Sequence, residues 1–160
     1  MRRLVPLILL CAFVPASCGD DGRAGSGPKV DVGIKPPSPP VSWTPAAIES
    51  SSAEATYRVR WEPEAGAIPE AEPFAIRIGV RRSDGRPIAS DAVFAVDAEM
   101  PHHGHGMNLV PAVARLGEDR GETLLLASGL LLHMPGKWVL AVDVGEGGVT
   151  ERTQWIVDVD

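Results

Sequence analysis

Cysteine is nearly missing from this chain, and its placement says more than its number. Only Cys11 and Cys18 occur among 160 residues, both close to the N-terminus. Beyond them there is no thiol, which rules out a disulfide framework, a thiolate metal site and a cysteine nucleophile in that part of the chain. Long apolar runs are scarce as well. Residues 4–14 form one, and no other stretch approaches the roughly 18 residues that a membrane-spanning helix requires. Basic charge is short: 15 Lys and Arg stand against 21 Asp and Glu, a net charge of -6 at pH 7. Nucleic-acid binders carry a basic footprint, so the balance argues against that partner class. The Gly-x-Ser-x-Gly elbow and the glycine-rich phosphate loop are also missing. The expectation is a binding or interaction protein, not an enzyme.

The N-terminus reads as an export signal. Arg2 and Arg3 precede the apolar run 4–14, which is too short to span a bilayer. Ala16, Ser17 and Cys18 follow. This resembles a bacterial lipoprotein signal, in which a cysteine after small residues is lipidated and becomes the new N-terminus. Pro15 departs from the Leu usual three places before that cysteine. Residues 1–17 are therefore read as signal peptide and Cys18 as the lipidation site, with the acyl chains as the membrane anchor. The expected location is extracytoplasmic, on the periplasmic side of a bacterial envelope. Loss of Arg2 and Arg3 leaves 13 basic residues against 21 acidic, a mature charge near -8.

Residues 18–53 read as a disordered tether. Six prolines, five glycines and six serines crowd residues 19–53, including the run Lys35 to Pro40. Such a segment buries too little apolar surface to offset its ordering entropy, and its prolines favour an extended, semi-rigid spacer. Trp43 is the exception in it, a residue suited to docking back on the domain.

Residues 54–160 carry a different pattern. Apolar residues alternate at Tyr57, Val59 and Trp61, at Phe74, Ile76, Ile78 and Val80, and at Phe94, Val96 and Ala98. The same period recurs at Trp138, Leu140, Val142 and Val144, and at Trp155, Val157 and Val159. Period two is the signature of a half-buried strand. Two more continuously apolar runs, 107–116 and 122–132, suit central strands. Turn residues separate these segments at 83–87, 117–121 and 145–148. About seven short strands predict an all-β, immunoglobulin-like antiparallel β-sandwich, with a closed barrel as the alternative. Trp61, Trp138 and Trp155 are expected in its core.

The chemistry-bearing residues are clustered. His102, His103 and His105 lie between Met100 and Met107, and the fourth histidine of the chain, His133, is followed by Met134. Imidazole nitrogen with thioether sulfur suits copper, and thioether leans towards Cu(I). Zinc through His103, His105 and His133 is the second choice, and Asp97 or Glu99 offers a harder donor. Residues two apart on a strand point the same way about 6.6 Å apart, so His103 and His105 are candidates to share an ion. If the third strand continues past Met100, Met100 falls on the core face, with His103, His105 and Met107 opposite. The candidate metal residues are thus His103, His105, Met107, His102, His133, Met134 and Met100. The plainer reading makes Met100 a core residue and Met134 a plug at the end of the sandwich.

The stretch from Met100 to Met107, followed by His133-Met134-Pro135-Gly136-Lys137-Trp138, resembles the YtkA-like domain family over roughly residues 70–145. That resemblance implies a small extracytoplasmic domain, often a lipoprotein, with an immunoglobulin-like sandwich. It also implies a link to copper handling and to a copper-accepting envelope protein as partner. The alternative is a metal-independent interaction module whose contact surface is the same His/Gly/Met loop.

Overall fold

The computed structural model describes residues 41–160. The expected signal peptide, the expected lipidation site Cys18 and the expected tether as far as residue 40 lie outside the described residues. Nine strands and no helix occur among those described. They are β1 (Ile48–Ser51), β2 (Tyr57–Pro63), β3 (Phe74–Arg82), β4 (Val93–Met100), β5 (His105–Gly106), β6 (Ala112–Asp119), β7 (Glu122–Leu130), β8 (Gly136–Glu146) and β9 (Val149–Val159). All neighbouring strands pair antiparallel.

Two open sheets result, in the orders β1-β2-β3-β7-β6 and β5-β4-β8-β9. Setting β1 aside, β2-β3-β7-β6 opposite β4-β8-β9 is the immunoglobulin constant-type arrangement, and β5 extends the second sheet. The sheets stay open at their edges, so the barrel alternative does not hold. Alternation explains the sandwich most plainly in β4 and β9. In β9 the residues Glu151, Thr153, Trp155, Val157 and Val159 are buried, while those between them are exposed. The apolar members meet Val59, Trp61, Ile76, Ile78, Leu125 and Trp138 in one core. Trp61 and Trp155 meet edge to face, with centroids 6.3 Å apart. Between β8 and β9, Gly147 and Gly148 take φ of 58° and 82°. Positive φ at both central positions closes a two-residue hairpin with the twist of its strands.

Three expectations change. The ordered unit begins before residue 54, because β1 pairs with β2 from Ile48↔Trp61 to Ser51↔Arg58. Residues 41–47, also assigned to the tether, lie across the outer face of the first sheet. There the Trp43 indole donates to Glu122 at 3.2 Å and its ring faces Arg60 at 4.3 Å, so the docking expected of Trp43 is present. The run 107–116 is not a central strand: Leu109 and Val110 are exposed, and β6 starts only at Ala112, on a sheet edge. Pro111 explains the late start, since it has no N–H to give a ladder.

Candidate metal centre at one end of the sandwich

β4 does not continue past Met100. The chain turns at 101–104, where the N–H groups of His103 and Gly104 both donate to Met100 O at 3.0 Å. It then returns as β5, with Met100↔His105 and Glu99↔Gly106 in register. Directly paired antiparallel residues share a face. His105 therefore lies on the Met100 side, towards the core, and not opposite it as strand parity alone predicted. Asp97 and Glu99 point the other way, exposed, which removes them from the candidate site. Met107 follows, its N–H bonded to Ala98 O at 3.0 Å, and it packs partly buried against the core.

The second arm is the connection from β7 to β8. It carries His133 and Met134 from the first sheet back to the second, at the same end of the sandwich. The Trp138 indole N–H donates to Met134 O at 2.9 Å and fixes this loop against the core. Gly136 has φ of 121°, and a Cβ there would lie 3.0 Å from the Met100 methyl. The glycine thus permits both the left-handed backbone and the approach of Met100.

The two arms bring the rings together in a row. His103 and His105 have centroids 5.9 Å apart, and His105 and His133 are 5.3 Å apart. Beneath them lies Trp138, fully buried, with its ring 6.0 Å from His105 and 5.5 Å from His133 in edge contacts. Exposure falls along the row: His103 is exposed, His105 and His133 are half-buried. His133 Nδ1 is sealed from solvent and has no hydrogen-bond partner. A buried polar atom without a partner costs about 1–3 kcal/mol, so this nitrogen marks a place where a partner is needed: a donor or a cation if it is bare, an acceptor if it carries the ring proton.

Among the described residues, no three His, Cys, Asp or Glu groups converge as a ready metal-holding set. His105 neighbours both other rings, and no ring contact joins His103 to His133 among the described residues. The sequence candidates therefore divide. His103, His105 and His133 are brought together, with His105 next to both of the others. Met100 is buried in the core beside His105, Met107 and Met134 pack partly buried nearby, and His102 stays exposed in the turn. Trp138, read from the sequence only as a core residue, also holds the Met134 loop in place. Its four-residue spacing from Met134 was visible, but nothing in a strand pattern points an indole N–H at a carbonyl. No protein-family model, curated protein or solved structure matches this chain.

Proposed function

We propose that this protein is a membrane-tethered extracytoplasmic lipoprotein whose sandwich binds copper through the His/Met cluster, for handling or delivery to an envelope acceptor. The observation that carries the reading is His133 Nδ1, buried and unpartnered beside His105. Every histidine of the chain and every methionine except Met1 belongs to the two loops around it or to the strand end between them. Thioether and neutral imidazole together favour Cu(I), with zinc second. The lipid anchor and the envelope location rest on the signal-like N-terminus, and the family link on the resemblance to YtkA-like domains. Half-exposed ligands suit exchange better than permanent storage, and no nucleophile or base pair in the site suggests catalysis.

The test is an anaerobic Cu(I) competition titration of the full chain beside the His103→Ala/His105→Ala variant. One-to-one binding tighter than about micromolar (about -8 kcal/mol), lost in the variant, is the expected result. A metal-independent interaction module is the second reading. It is favoured by Leu109 and Val110, 50% and 95% exposed, beside Met107. Under that reading wild type and variant give the same null titration.

A further inference from the structure

We infer that the histidine row is two overlapping two-imidazole positions that share His105, an outer one for capture and an inner one for retention. This rests on the copper reading above and deepens it. A single three-histidine centre needs all three rings to face one point. Here His103 neighbours His105 and His105 neighbours His133, and no three groups converge. Metal–nitrogen bonds of about 2.0 Å set the centroids of two imidazoles on one ion roughly 5 to 6 Å apart. Both separations in the row, 5.9 and 5.3 Å, lie in that range. The χ2 torsion of histidine is broad and roughly two-fold, so rotation about it changes which ring nitrogen faces a neighbour.

The two positions differ in surroundings. The outer pair ends on exposed His103, in a turn bounded by Gly104 with φ of 66°. The inner pair ends on His133 Nδ1, sealed from solvent. Two thioethers lie by the inner position: Met134 follows His133 in a loop fixed by Trp138, and the Met100 methyl lies against Gly136 of the same loop. An incoming Cu(I) meets His103 and His105 first. It then keeps its bond to His105, loses that to His103 and gains one to His133 Nδ1. The step is a ligand exchange: copper stays Cu(I), and all three imidazoles are neutral before and after it. Release runs the same exchange backwards, through the face an acceptor can reach.

The experiment measures both equilibrium and rate on the full chain, with Cu(I) supplied anaerobically from a chromophoric chelator. His103→Ala is expected to slow capture and release by about tenfold while lowering affinity by no more than about threefold. His133→Ala, with His133→Gln beside it as the better-folded control, is expected to lower affinity by about a hundredfold and leave initial capture nearly as fast as in wild type. Circular dichroism confirms folding of each variant. Equal affinity losses in the His103 and His133 variants overturn the two-position arrangement in favour of a single three-histidine centre, and leave the copper reading standing. A His103 variant with unchanged rates overturns it too, making His103 a bystander. Wild-type protein that takes no Cu(I) from the chelator overturns the copper reading and this inference together.

Discussion

Tyr57 is the only tyrosine of the chain, which makes one buried polar contact directly measurable. Its hydroxyl donates to Glu146, which also pairs with Arg82 at 2.6 Å and accepts from the Ala89 N–H at 2.6 Å. Burial, the hydrogen bond to Glu146 and the charge of that carboxylate push the phenol up to about 12, against a smaller opposing pull from Arg82. Burial also pushes Glu146 upwards, but the Ala89 N–H, Tyr57 and Arg82 outweigh it and hold the carboxyl below its ordinary value. The two shifts have opposite consequences. The tyrosine contribution to stability is complete below about pH 10, the ordinary phenol value, and is lost as pH rises through 12. The glutamate contribution is complete above the ordinary carboxylate range and is lost as pH falls through its lowered value. An absorbance titration at 295 nm is expected to show Tyr57 ionising near pH 12 in the folded protein. Glu146→Gln should move that midpoint down towards 10, and an unmoved midpoint would show that burial alone sets it. At this scale the sequence marked which residues matter more clearly than how they meet. His103, His105 and His133 stood out by type and spacing. Which way His105 faces depended on a turn at 101–104 that alternation cannot register, because two donors on Met100 O reverse the chain there.

At the scale of single elements, the segment 41–47 shows how a polar sheet face is closed. Glu62 is 1% exposed although it lies on the outer face of β2. Thr44 covers it: its N–H and its hydroxyl both donate to Glu62 Oε2, at 2.9 and 2.6 Å. Arg77 lies 2.6 Å from the other oxygen, an ion pair without the alignment of a hydrogen bond. Two strands away, on β7, Glu122 is held by Arg60 of β2 and the Trp43 indole. Glu122 lies over Gly79, where an added Cβ would meet its carboxyl carbon at 2.5 Å. Thr44→Val keeps the shape and deletes the hydroxyl donor. It is expected to destabilise the fold by about 1–3 kcal/mol in urea unfolding, since a carboxylate oxygen loses a donor where water does not reach it. A loss below about 0.3 kcal/mol would mean that the backbone N–H of Thr44 alone suffices. These contacts explain why β1 escaped a pattern reading. Ile48-Glu49-Ser50-Ser51 has one apolar residue, and that residue is exposed. Backbone pairing and the ion pairs of Glu49 with Arg58 and Arg81 hold it, none of which leaves an alternating signature. The run 107–116 erred in the other direction, since apolar Leu109 and Val110 belong to a loop at the surface.

For the described unit as a whole, the two ends of the sandwich differ in what they carry. The His/Met loops lie at the end where β4 and β7 finish and β8 begins. The chain enters at the other end: Val41, Ser42 and Trp43 line a recess with Arg81, Asp119, Arg120 and Glu122, by the hairpin from β6 to β7. From there it runs along the outer face, turns where the Ala47 N–H meets Thr44 O, and joins β1. The sandwich was legible because five alternating segments and the apolar run 122–132 can bury their apolar faces only against one another. This polarity was not, because it depends on where a polar strap crosses a sheet. It matters for the proposed role. An anchor acting through the N-terminal segment pulls on the end remote from the His/Met loops and leaves them open to the proposed acceptor. An anchor at the C-terminus, which follows Val159 at the site end, presses the same loops towards the lipid. The comparison uses the chain with Cys11 and Cys18 replaced, attached to vesicles through a maleimide lipid at a cysteine added to either terminus. Cu(I) transfer to a membrane-impermeant chelator is expected to match the free chain within about twofold for N-terminal attachment and to slow about tenfold or more for C-terminal attachment. Equal rates from the two attachments would separate access to the site from the polarity of the fold, and leave the length of residues 18–40 to govern it.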